Sequence, residues 1–125
     1  SPQVIVIRIK ASGMFASAQA DVTPRFVPIL ERIGTALKEE PGDVLVVGHS
    51  DSIPIRTVRF PSNYHLSTAR AESARAVIAR TIGDPNRLRS EGRADAEPIA
   101  DNATPEGREQ NRRIELIMPR MERPL

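Results

Sequence analysis

The sequence predicts an α/β (α+β) two-layer sandwich, and three observations carry that expectation. VIVIRIK at residues 4–10 and VLVVG at 44–48 are β-branched, apolar runs with strand character. Two later stretches, opening near Thr23 and Tyr64, repeat apolar residues at helical spacing. Strand-like and helix-like segments alternate along 125 residues, a length that supports one domain with its own core. The expected order is β-α-β-α-β-(α)-β, with the domain over 1–118 and a frayed tail over 119–125.

Each element has its own signal. After the first strand, ASGMFASAQADV (11–22) is small and polar around Met14 and Phe15, which predicts a loop or an irregular strand extension. Thr23-Pro24 then reads as an N-cap followed by a first helical proline. Phe26, Leu30, Ile33 and Leu37 form one face, and Arg25, Glu31, Arg32, Lys38 and Glu39 the other. Pro28 opposes that start because it removes a donor in the second turn, so an irregular beginning is expected. Pro41-Gly42 ends the helix. The uninterrupted apolar run from Val44 to Gly48 predicts a central strand covered on both faces. A polar loop, 50–62, leads to a helix from about Tyr64 to Ile82, closed by GDPN. Arg87 to Gly92 predicts a third strand. Thr104-Pro105 repeats the cap signal before a short helix, and Ile114 to Met118 predicts the last strand.

Composition narrows the function. Eighteen Lys and Arg face sixteen Asp and Glu, so the net charge is only +2. The arginines are interleaved with acids and aromatic residues make up 3%, which argues against nucleic-acid binding. Without cysteine there is neither a disulfide framework nor a thiolate metal site. No apolar run approaches the roughly 20 residues of a membrane helix. No signal peptide is readable before the first strand, so any membrane anchor is expected outside the sequence.

The most informative residue is Arg70. On a helical projection with Leu66 at 0°, Val77 falls at about 20° and Arg70 at about 40°, inside the apolar arc, whereas Arg75 falls at about 180°. A guanidinium on the core face is expensive unless it reaches a partner or an opening. Asp51 lies just beyond the carboxyl end of the VLVV strand, where open α/β sheets bind ligands. Two readings stay open on the residues alone. Asp51 and Arg70 form a structural ion pair, or Asp51 caps a turn. Alternatively, the two charges are held apart and receive the ammonium and carboxylate of a zwitterion, helped by the helix N-terminus near Asn63 to Leu66.

GHSD at 48–51, NYHLSTARA at 63–71 and NRRIE at 111–115 are similar to the signature of OmpA-like peptidoglycan-binding domains. That signature is a Gly-x-Thr-Asp turn, then Asn-x-x-Leu-Ser-x-x-Arg-Ala, then a late Arg-Arg-Val-Glu strand. Ser50 stands for the usual Thr and Ile114 for the usual Val. The resemblance spans almost the whole chain. It implies a mixed four-stranded sheet with helices on one face, and a pocket that grips the diaminopimelate of the peptidoglycan stem peptide. By the same resemblance Asp51 and Arg70 bind the ligand, with Asn63 and Leu66 shaping the pocket. Ser50 is a further ligand-binding candidate, and Arg112 and Arg113 are secondary candidates for a phosphate-like or wall-glycan contact. PIRTVRFPSNYHLS and EGRADAEPIADNATPEGREQNRRIEL most resemble the periplasmic part of DotU/TssL-type inner-membrane proteins of type VI secretion. Flagellar stator proteins of the MotB type share FPSN, PIADN and NRR. The implied partners are peptidoglycan, subunits of a secretion membrane complex and a second copy of the chain. The implied location is periplasmic.

Competing chemistries are weaker. His49, Asp51 and His65 surround one loop, and His-x-Asp places two side chains on one side of a strand, but two histidines and one carboxylate make a thin metal signal. No metal or other cofactor is expected. Ser50, His49 and Asp51 are adjacent on extended chain and cannot line up as a nucleophile, base and orienter, and no GxSxG elbow or phosphate loop is present, so no enzyme is expected. Arg112 and Arg113, at a strand start, read most simply as salt-bridged and solvated. Arg56 and Arg59 are candidates for contact with a partner subunit.

Overall fold

A computed structural model describes residues 3–119. In chain order it contains β1 (Val4–Lys10), α1 (Ala11–Met14), α2 (Val27–Lys38), β2 (Val44–His49), α3 (Asn63–Ala79), β3 (Leu88–Gly92), α4 (Pro105–Asn111) and β4 (Arg113–Pro119), with a 3₁₀ turn at Pro85–Arg87. The tail expected from 119 begins as the last residue of β4, and 120–125 lie outside the described residues.

The four strands form one mixed sheet in the order β1-β4-β2-β3. β4 runs antiparallel to both neighbours, and β2 and β3 are parallel, joined through α3. β2 is therefore internal, as its apolar run predicts, and only Leu45 in it is partly exposed. Strand alternation sorts side chains to two faces. Val44, Val46, Leu88, Ile114 and Leu116 face the helices, packing with Leu30 and Leu37 of α2 and Ala71, Ala74 and Ile78 of α3. Val47, His49, Arg113 and Glu115 lie on the opposite face.

Two expectations are met in part. The 11–22 segment, expected as a loop or an irregular strand extension, is strand-like only at one bridge. Ala11–Met14 makes a helical turn, Phe15 and Val22 form an isolated antiparallel bridge, and Met14 and Phe15 are buried. The first long helix begins at Val27, not at Thr23. Residues Thr23 to Phe26 form a turn in which the Thr23 carbonyl accepts from Phe26 N and Val27 N, and the Thr23 hydroxyl donates to Gly13 O at 3.2 Å. Pro28 is the physical reason. A start at Val27 places it in the first helical turn, where no intrahelical donor is needed. Thr104 behaves as expected: its Oγ1 accepts from Gly107 N at 3.0 Å and caps α4.

Two close approaches seat α3 against the ends of β2 and β3. A Cβ on Gly48 would lie 2.1 Å from the Ser67 carbonyl oxygen, and one on Gly92 would lie 2.5 Å from Thr68 N. Only glycine fits at both places. This packing sets the distance between the end of β2, where Asp51 follows, and the early turns of α3, which carry Arg70.

Candidate functional site

β2 ends at His49, and the chain leaves the sheet through Ser50 and Asp51, both buried. Ser50 N donates to Ala94 O at 2.8 Å, and its hydroxyl donates to the Asp51 carbonyl at 2.8 Å. The Asp51 carboxylate has two different partners. Oδ1 accepts from Ile53 N at 3.0 Å, and Oδ2 accepts from Nη1 of Arg112 at 2.5 Å. Asn63, the first residue of α3, donates its amide to Ile53 O at 2.9 Å and to Asp51 O at 3.5 Å, tying the loop to the helix. Ser62 caps α3, accepting from His65 N.

Arg70 is 7% exposed and points inward, as its projection predicts. Its Nε donates to Gln19 O at 2.7 Å and its Nη2 to Ala16 O at 3.2 Å. The guanidinium carbon lies 4.9 Å from the centre of the Phe15 ring, a cation–π contact. Among the described residues no carboxylate forms an ion pair with it, so of the readings left open by the sequence the direct pairing with Asp51 is not the one formed. Burial, then the Arg112 charge, pushes its pKa down to about 10 against the pull of Asp51; it remains a cation at neutral pH.

Asp51, Arg70 and Arg112 share one cavity of about 530 Å³, whose wall includes Ser12, Phe15, Ser50, Ile53, Asn63 and Leu66. Leu66 is buried against Phe60 and Ala20 and supplies the apolar side. The structure thus brings together Ser50, Asp51, Asn63, Leu66, Arg70 and Arg112. Both strand-start arginines are salt-bridged as expected, but only Arg112 is also partly solvated. Arg112 reaches the cavity and pairs with Asp51. Arg113 does not join it; it is 3% exposed on the opposite face of the sheet.

There Arg113 belongs to a second charged cluster. Its Nε donates to Glu115 Oε2 at 2.8 Å, and its two terminal nitrogens donate to Asn111 O and Glu97 O. Arg8 also reaches Glu115 Oε2, and His49 Nε2 lies 3.0 Å from Glu115 Oε1. Burial alone would raise the Glu115 pKa, but hydrogen bonds from Arg113 and Arg8 outweigh it and hold it at about 2. Burial, then the Arg113 charge, depresses His49, so its ring is neutral and Nε2–H donates to Glu115, leaving the buried Nδ1 without a partner. His49 therefore faces Glu115 and not the cavity, and His65 is bonded through Nδ1 to Ser62 Oγ at 2.7 Å. The histidines and Asp51 do not converge, and among the described residues no three His, Asp or Glu side chains are placed to hold a metal. Arg59 pairs with exposed Asp21 and stacks on Phe60, while Arg56 is exposed.

Sequence reasoning missed the wall built from 11–18. The only signal there was an apolar Met14-Phe15 pair in a small, polar segment.

With this geometry in place, similarity to known proteins becomes informative. Residues 14–112 match the OmpA family, most of the chain. The chain belongs to the OmpA family. Membership places it among non-catalytic binding or structural modules. Motility protein B of Bacillus subtilis is 35% identical over 119 residues, covering 93% of this chain and 46% of its own length. The probable lipoprotein YiaD of Escherichia coli is 33% identical over 91% of this chain and 51% of its own length. The chain thus spans about half the length of these relatives. Among solved structures, the cell wall anchor of the type VI secretion system from Pseudomonas aeruginosa superposes with a TM-score of 0.88 at 47% identity, over 93% of this chain and 81% of that one. The periplasmic domain of Helicobacter pylori MotB gives 0.83 at 26% identity, over 91% and 74%. Among the described residues no helix is long and apolar enough to cross a membrane.

Proposed function

We propose that this OmpA-family domain binds peptidoglycan in the periplasm of a Gram-negative cell through the diaminopimelate of the stem peptide. One observation carries the reading: Arg70 is a buried guanidinium that opens on a cavity, held by carbonyls and paired with no described carboxylate, with Asp51 across the same space. Arg70 receives the ligand carboxylate in fork geometry, and Asp51 receives the ammonium. Ser50 and Asn63 fix the Asp51 turn, and Leu66 contacts the aliphatic part of the ligand. No bond is made or broken; the domain holds its ligand by charge and shape.

The identity of 47% with the secretion-system wall anchor, against 26% with MotB, supports a DotU/TssL-type inner-membrane protein that ties a secretion complex to the wall. A flagellar stator of the MotB type is the nearest alternative. A third reading, a partner-binding module that does not bind the wall, draws on β1: it is an edge strand, and Val4, Ile5, Val6 and Ile7 are all exposed.

Co-sedimentation with purified sacculi tests the proposal. The wild type is expected in the pellet, and Asp51→Ala and Arg70→Ala in the supernatant, since losing one partner of a buried charge contact costs about 2–5 kcal/mol. Retention of both variants would sink the pocket. A wild type that stays soluble but self-associates through β1 would favour the third reading.

A further inference from the structure

The two cavity arginines are held differently. Arg70 is tethered by two backbone carbonyls and the Phe15 ring. The Arg112 side chain is 39% exposed, and its one described hydrogen bond is the one to Asp51. That bond occupies Oδ2, while Ile53 N occupies Oδ1. An ammonium approaching Asp51 therefore finds its place already taken by a guanidinium.

We infer that Arg112 is a specificity-determining residue of this site, a movable internal counterion that admits an α-amino acid centre and turns away a plain amine. The inference rests on the ligand class proposed above. A plain amine that displaces Arg112 leaves three cations around one carboxylate: the ammonium, Arg70 and Arg112. A zwitterionic centre brings its own carboxylate, so the released Arg112 moves onto that group beside Arg70. One ion pair is exchanged for another, and no buried charge is left alone. The cavity starts with a net charge of +1 from two arginines and one aspartate, which disfavours an added cation and accepts a neutral zwitterion. Discrimination arises because Asp51 is closed by an internal competitor, and apparent affinity falls by the fraction of time the site is open.

Titration calorimetry with three probes separates the groups: meso-diaminopimelate, cadaverine (the same chain without its carboxylates) and pimelate (the same chain without its amines). The wild type should bind diaminopimelate and discriminate against cadaverine. In Arg112→Gln, cadaverine should tighten about tenfold if Arg112 closes Asp51 about nine-tenths of the time, and diaminopimelate should weaken, so the preference collapses. Arg112→Lys keeps a competing cation and should still exclude cadaverine. Adding Asp51→Asn to Arg112→Gln should abolish the gain. The inference is overturned if folded Arg112→Gln, with a wild-type thermal melt, excludes cadaverine as the wild type does. It is also overturned if Arg112→Lys admits cadaverine as readily as Arg112→Gln. Should Arg112→Gln not fold, Arg112→Ala takes its place under the same criteria. If the wild type binds neither diaminopimelate nor sacculi, the proposed function fails, while the cadaverine response of the Arg112 variants still decides the role of that residue.

Discussion

Arg112 and Arg113 are adjacent in sequence and live in opposite environments. Arg112 leaves the end of α4 toward the cavity, where it is partly exposed and meets one carboxylate. Arg113 opens β4 on the other face of the sheet, is 3% exposed, and has three acceptors of its own. Near each lies a buried carboxylate, Asp51 on one side and Glu115 on the other. The difference teaches that the same charge pair can fix a fold or leave a site exchangeable. What decides it is how many contacts are left over when one is broken. Glu115 joins Arg8, His49 and Arg113 in one network, whereas the bond between Asp51 and Arg112 can open with no other described side-chain hydrogen bond to break.

That contrast can be broken by substitution. The largest effect is expected for Glu115→Gln, which strips the charge from a buried network and should destabilise the domain by about 3–5 kcal/mol in urea unfolding. Asp51→Asn should instead cost at most about 1 kcal/mol of stability while abolishing sacculus binding, since the pair it opens is partly exposed and Ile53 N keeps an acceptor. If Asp51→Asn unfolds the protein as readily as Glu115→Gln, the two clusters are not different in kind.

Acid should also separate the two regions. The folded state depresses Glu115 from 4.5 to about 2, so its contribution is present above about pH 4.5 and lost as pH falls toward 2. His49 is held below its ordinary 6.5, so the unfolded chain binds that proton first and stability declines as pH falls below 6.5. Urea midpoints measured from pH 7 to 3 should fall throughout, and His49→Gln should flatten the upper part of that decline. The smallest effect is expected for Thr104→Ala, which removes the α4 cap at a cost of about 1 kcal/mol by thermal melt. It sharpens the comparison because α4 leads directly to Arg112: ligand affinity should soften while the Glu115 network is untouched.

Much of this was legible in the residues. The apolar run of β2 is a strong pattern and places Asp51. α3 is only weakly amphipathic, because Ser67 and Arg70 share its buried face with Leu66, Val77 and Ile78, and it is the projection from Leu66 and Val77 that marks Arg70 as inward. Local signals fail where a distant contact wins. Thr23-Pro24 and Thr104-Pro105 look alike, yet only the second caps a helix. The Thr23 hydroxyl is drawn to Gly13 O, and Pro28 delays the helix to Val27. α1 is four residues long, too short for any period, and its role as cavity wall depends on a bridge to Val22. The opposite fates of Arg112 and Arg113 turn on whether β4 begins at 113 or 114, a one-residue question that strand patterns answer poorly.

The register of β1 has a mechanical consequence. Its seven residues pair with β4 from Val4↔Pro119 to Lys10↔Arg113, and the cavity wall begins at Ala11, where β1 ends. A pull on the Val4 end, resisted by a ligand in the cavity, runs along the strand rather than across it. Such a load stretches every hydrogen bond of the β1–β4 ladder at once instead of peeling them one after another. A domain loaded in that direction yields late and all together.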